Sequence, residues 1–78
     1  MEYIATFYTH SGAIKYRRHL KSKKIDVELM PVPRQLSSNC GIAASFTLTE
    51  DINFYISEDM EKLFKITPNG YELLYKNA

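Results

Sequence analysis

Apolar positions recur along this chain with two periods, and the switches between them mark its elements. Residues Tyr3 to Tyr8 carry aromatic and β-branched side chains on both faces, the pattern of a strand at the centre of a sheet. Thr9 then offers an N-cap, Ser11 and Gly12 fall in a first turn, and Ala13, Tyr16 and Leu20 recur at helical spacing among charges. That spacing predicts a helix from His10 to Lys23. Ile25, Val27 and Leu29 alternate with Asp26, Glu28 and Met30, a half-buried strand that Pro31 and Pro33 bring to an end. Ile42, Ala44, Phe46 and Leu48 alternate with Ala43, Ser45 and Thr47, the clearest strand in the chain.

Beyond Leu48 the periods compete. Ile52, Ile56, Met60 and Leu63 fall on one helical stripe, which predicts a second helix reaching Phe64, with Thr49 as its cap and Glu50 and Asp51 in its first turn. The rival reading extends Asn53 to Ile56 as a short strand and starts a shorter helix at Ser57. Pro68, Asn69 and Gly70 then turn the chain into a last strand, where Tyr71, Leu73 and Tyr75 alternate with Glu72 and Leu74 as far as Lys76. The order strand, helix, strand, strand, helix, strand is the split βαβ pattern. It predicts an α+β ferredoxin-like sandwich, with two helices on one face of an antiparallel sheet, as a single domain over residues 1–78. In that arrangement strands one and three are antiparallel neighbours. Thr9, His10 and the opening of the first helix therefore flank Gly41 and the residue before it.

That residue is Cys40, the only cysteine, and it closes the run PVPRQLSSNCG from Pro31 to Gly41. Prolines, serines, an asparagine and a glycine in this density make a loop, and the two prolines stiffen it. A single cysteine permits no internal disulfide and fits a reducing compartment; with no charged and apolar leader, the expectation is a cytoplasmic protein. The apolar runs fall short of the roughly 20 residues that span a bilayer, so no membrane association is expected. The formal net charge of +1 conceals polarity. Residues 1–34 hold Lys15, Arg17, Arg18, Lys21, Lys23, Lys24 and Arg34 against Glu2, Asp26 and Glu28, whereas the remainder is acidic. The six basic residues from Lys15 to Lys24 have no acid among them, which makes either a solvated helix face or a surface for nucleic acid or an acidic protein.

The run PVPRQLSSNCGIAASF, preceded by FYTHSGAIK, resembles a family of small bacterial proteins labelled selenium or sulfur (Se/S) carrier protein-like. The likeness covers nearly the whole chain. It rests on Thr9, His10 and Ala13 opening the helix, on Pro31, Pro33 and Arg34, on the spacer residues Ser37 and Ser38, and on Cys40 and Gly41. What the resemblance implies is a carrier role resting on the cysteine.

The residues themselves supply the chemistry for such a role. A thiolate is favoured by nearby positive charge and by a helix N-terminus. Arg34 offers a permanent cation, and the first-turn N–H groups add partial positive charge. An outer sulfur or selenium atom on Cys40 is expected to be held by Cys40, Arg34 and His10, with Thr9, Ser11, Gly12, Ser38, Asn39 and Gly41 lining the site. His10 is a proton shuttle or partner of the sulfur, or else an exposed helix residue. Gly41 either takes a backbone conformation closed to other residues, admits a partner, or is a plain turn glycine. Cys40 has its own bland reading as a small buried hydrophobe. His19 lies away from the loop.

Other chemistries find less support. Cys40, His10 and His19 are too few for a closed zinc site in one chain, no side chain is placed to orient His10 for nucleophilic catalysis, and no cofactor is expected. RNA binding on the sheet lacks the basic, glycine and aromatic run that such domains use. A carrier implies a donor such as a cysteine desulfurase and an acceptor protein. A homodimer through sheet or edge-strand contacts is expected of it, and a dimeric interaction module, for which Cys40 is dispensable, is the alternative. The carrier is classed as a transfer protein rather than as an enzyme with its own turnover.

Overall fold

The computed structural model describes residues 1–38 and 40–77. Along the chain come β1 (Glu2–Phe7), α1 (His10–Ser22), β2 (Val27–Pro31), β3 (Ile42–Thr47), a 3₁₀ turn (Ile52–Tyr55), β4 (Met60–Thr67) and β5 (Gly70–Lys76). The strands form one antiparallel sheet in the order β2-β3-β1-β4-β5, so the fold is α+β. β1 is central, as its two-faced apolar pattern predicts, and every residue from Tyr3 to Phe7 is buried. β2 is an edge strand, which tolerates Pro31 as its last residue.

Helix α1 begins as expected. Thr9 is extended, and its side chain accepts the Gly12 N–H at 3.0 Å. Ala13, Tyr16 and Leu20 are buried against Tyr3, Ala5 and Phe7 of β1 and Phe46 of β3, with the Tyr16 ring tilted against both Phe7 and Phe46. Among the described residues no helix covers the opposite face of the sheet. Ile4, Ala43 and Phe64 are buried there beneath Leu36, which descends from the proline-rich loop.

The expected second helix does not form, and neither does the shorter one capped by Ser57. Asp51 caps a single 3₁₀ turn, Ser57 then organises a tight turn through its hydroxyl to Asp59 N–H, and Met60 starts a strand. The two-helix sandwich is therefore corrected, among the described residues, to one α-helix and a five-stranded sheet. The reason lies in the register of β4 on β1. Phe7 pairs with Met60 but Thr6 pairs with Lys62, so Glu61 is an extra residue. This bulge brings Met60 and Leu63, three apart, to the same buried face, where a regular strand would separate them. The helical spacing of Met60 and Leu63 is the imprint of a β-bulge, while Ile52 and Ile56 fall in and just after the 3₁₀ turn. A second shift between Leu63 and Phe64 on the β5 side sends Tyr75 toward the helix-side core, while Leu73, paired with Phe64, stays exposed.

Between α1 and the 3₁₀ turn, the Tyr16 hydroxyl donates to the Tyr55 carbonyl at 2.8 Å, and the Tyr55 hydroxyl donates to Glu50 Oε2 at 2.8 Å. Burial, aided by Tyr55, pushes the Tyr16 phenol well above its ordinary 10.0. The hydrogen bond to Glu50 chiefly, with burial and the carboxylate charge, raises that of Tyr55. No helix among the described residues is long and apolar enough to cross a membrane.

Candidate functional site

The loop between β2 and β3 is pinned to the sheet at several points. Val32 N–H donates to the Gly41 carbonyl at 3.1 Å, closing the neck, and Leu36 N–H donates to the Pro33 carbonyl at 3.0 Å, forming a turn. Leu36 is 7% exposed and fastens the loop to the helix-free face. Lys62 Nζ donates to Ser37 Oγ at 3.3 Å, and Ser38 Oγ donates to the Phe7 carbonyl at 3.0 Å. Gly41 has φ of +74°, and a Cβ there would meet nothing within 4 Å. Gly41 thus takes a backbone conformation that other residues resist.

Cys40 is a free, half-buried thiol whose side chain packs against the helix-side core. Its backbone is held on both sides. The Cys40 N–H donates to Ser38 Oγ at 3.4 Å, and the Cys40 carbonyl accepts from His10 Nε2 at 2.7 Å. A carbonyl only accepts, so Nε2 carries the proton and His10 orients the loop through the backbone rather than through the sulfur. Sγ itself lies 3.5 Å from the Ile42 carbonyl, to which the S–H donates, and 3.9 Å from Ser38 Oγ. Because the Ser38 proton is engaged by Phe7, the polar atoms nearest the sulfur present lone pairs; turning the Ser38 hydroxyl would convert one of them into a donor. Partial exposure, a positioned backbone and a rotatable hydroxyl suit a sulfur that changes its bonding partner.

The helix opening stands beside this loop as the strand pairing predicts, since Thr6 pairs with Ala43 in the β1 to β3 register. Thr9 is engaged as the cap, Ser11 is exposed, and Ala13 N–H bonds the Thr9 carbonyl. The N–H groups of His10 and Ser11 have no partner among the described residues. Gly12 is buried, and a Cβ there would lie 3.1 Å from Asp59 Cβ, so its place is in packing the helix on the Ser57 to Met60 turn. Arg34 is exposed in the loop, and its side chain makes no hydrogen bond or ion pair among the described residues. Asn39 lies outside the described residues. His19 is exposed on another flank of α1, lining a groove with Phe54 and Ile56.

Lys62 was missed by sequence reasoning, because its segment read as helix; on β4 it reaches the cysteine loop at Ser37. The turn at Pro68 to Gly70 held the signal. A two-residue connection into an alternating strand calls for a strand before it as well. Among the described residues no group of three or more His, Cys, Asp or Glu side chains is arranged to hold a metal.

Comparison with known proteins adds one finding. Residues 2–67 match the model of the family described as "Putative Se/S carrier protein-like". No curated protein and no solved structure matches the chain.

Proposed function

We propose that this chain, which belongs to the Se/S carrier protein-like family, holds sulfur or selenium on Cys40 and passes it to a partner in the cytoplasm. The observation that carries the reading is the state of Cys40: a partly exposed thiol whose backbone is fixed from both sides, by Ser38 and by His10. In the loading step the Cys40 thiolate attacks the outer sulfur of a donor persulfide. A new S–S bond forms on Cys40 as the donor's S–S bond breaks, and the donor cysteine leaves as a thiolate, so the exchange involves no net oxidation. Selenium follows the same path with selenium as the outer atom. A cysteine desulfurase is the fitting class of donor, and the acceptor is a protein that repeats the exchange in turn.

In this reading Arg34 turns in from the exposed loop to meet the anionic outer atom. Ser38 redirects its hydroxyl from Phe7, while Ser11 and Gly41 line the approach. His10 is a positioning residue, and Thr9 and Gly12 set the helix end beside it. The fold is read as a ferredoxin-like sandwich whose second crossover has shrunk to the 3₁₀ turn. In support, β1 and β2 both run antiparallel to the β3 strand between them, so α1 makes the split βαβ crossover.

Intact-protein mass spectrometry tests the proposal. After incubation with a cysteine desulfurase and cysteine, the wild type should gain one sulfur atom that a reductant removes, and Cys40→Ser should gain none. No adduct on the wild type, with Cys40 also inert to alkylation, would return the cysteine to a structural role and favour an interaction module.

A further inference from the structure

Helix α1 presents an outer stripe continuous with the cysteine loop. His10, Ile14, Arg17, Arg18 and Lys21 are spaced to fall on one side of the helix, and all five are exposed. His10 holds the Cys40 carbonyl, so the stripe begins at the site. It ends at Lys21, about 17 Å along the axis at 1.5 Å per residue. Ile14 is 44% exposed, an apolar side chain among cations. Lys15, off the stripe, is paired with Asp59 at 3.4 Å, whereas the side chains of Arg17, Arg18, Lys21, Lys23 and Lys24 have no ion pair among the described residues. Unpaired cations around an exposed apolar residue leave a surface whose charge an interior partner of this chain does not balance.

From this we infer that the stripe from Ile14 to Lys21 is the docking surface for an acidic protein that exchanges sulfur with Cys40. The inference rests on the carrier reading and adds the partner's chemistry to it. A partner covering about 800 Å² on this side spans both the thiol and the far end of the stripe. Opposing charge speeds the encounter of two such surfaces, and Ile14 supplies an apolar contact at their centre. A second copy of the chain is a poor occupant, because a twofold contact would set like charges against each other. RNA is also disfavoured: Tyr16 is the only Phe, Tyr or Trp on α1 and it is buried, so the only ring the stripe offers to bases is the imidazole of His10, already held on the Cys40 carbonyl.

The experiment follows sulfur gain on Cys40 from two sources, a persulfide-bearing cysteine desulfurase and a small-molecule persulfide with no charge beyond that of its persulfide group, at about 50 and about 300 mM salt. Loading from the desulfurase should fall about tenfold in Arg17→Glu/Lys21→Glu and fall with salt in the wild type, while loading from the small molecule stays unchanged. Arg17→Gln/Lys21→Gln, which leaves the helix uncrowded by new charge, should give an intermediate loss. Equal desulfurase rates in all variants, or loading from the small molecule alone, would overturn the inference while leaving a loadable thiol. No loading from either source would instead defeat the carrier reading. Binding of a fluorescent single-stranded RNA that the reversal abolishes, with desulfurase rates unaltered, would reassign the surface to nucleic acid.

Discussion

Gly41 illustrates how a single residue sets the presentation of its neighbour. At φ of +74° its backbone lies in the left-handed region, and the space around a notional Cβ is open. Any side chain there is therefore penalised by conformation alone. Gly41→Ala should cost about 1–2 kcal/mol of stability, read from urea unfolding, and Gly41→Asn should cost less. An alanine variant as stable as the wild type would show that the turn relaxes to another conformation at little cost. The same scale separates what was readable at the site from what was not. Cys40 stood out because a lone thiol in a stiff polar loop has few core duties. The hydrogen bond from His10 to the Cys40 carbonyl did not stand out, because residue spacing conveys which side chains come near but not which backbone atoms they meet.

At the scale of elements, the cysteine loop is as much a part of the core as the strands it joins. Leu36 seals the helix-free face with Ile4, Ala43 and Phe64. Truncating it to alanine should cost about 2–4 kcal/mol, since a buried leucine leaves a cavity as well as losing transfer energy. It should also speed alkylation of Cys40 at a fixed pH by loosening the loop, a rate that mass spectrometry follows directly. Unchanged alkylation would mean that the hydrogen bonds of Ser38 and His10 fix the loop without Leu36. Element assignment from sequence succeeded wherever one period dominated, as in α1 and β3. It failed in β4, where the extra residue at Glu61 converts alternation into a spacing of three; β5 is the strand its alternation predicts, although a second shift divides Tyr75 from Leu73. Bulges are set by pairing with a neighbouring strand, so the segment's own pattern is silent about them. The hairpin turn after β4 was the local feature that argued for a strand.

Over the whole molecule, the loss of a second helix places weight on the junction that replaces it. Tyr16 links α1 to the 3₁₀ turn through the Tyr55 carbonyl, and Tyr55 continues to Glu50 before β4 begins. Both phenols are held in the protonated form, above the ordinary 10.0. Below that value the folded and unfolded chains both keep these protons, and the contribution to stability is complete. As pH rises past it, the unfolded chain ionises first, and stability is lost until the folded phenols also ionise. For Tyr16, which is 3% exposed, the slope approaches at most about 1.4 kcal/mol per pH unit. Tyr16→Phe should therefore act in opposite senses in two ranges. Near neutral pH it should destabilise by about 1 kcal/mol, through loss of the hydrogen bond to Tyr55. Above about pH 10 its stability should decline less steeply than that of the wild type. Urea unfolding of both proteins at about pH 8 and about pH 11 distinguishes these effects, and parallel curves across that interval would show that the Tyr16 phenol ionises equally readily in the folded and unfolded chains.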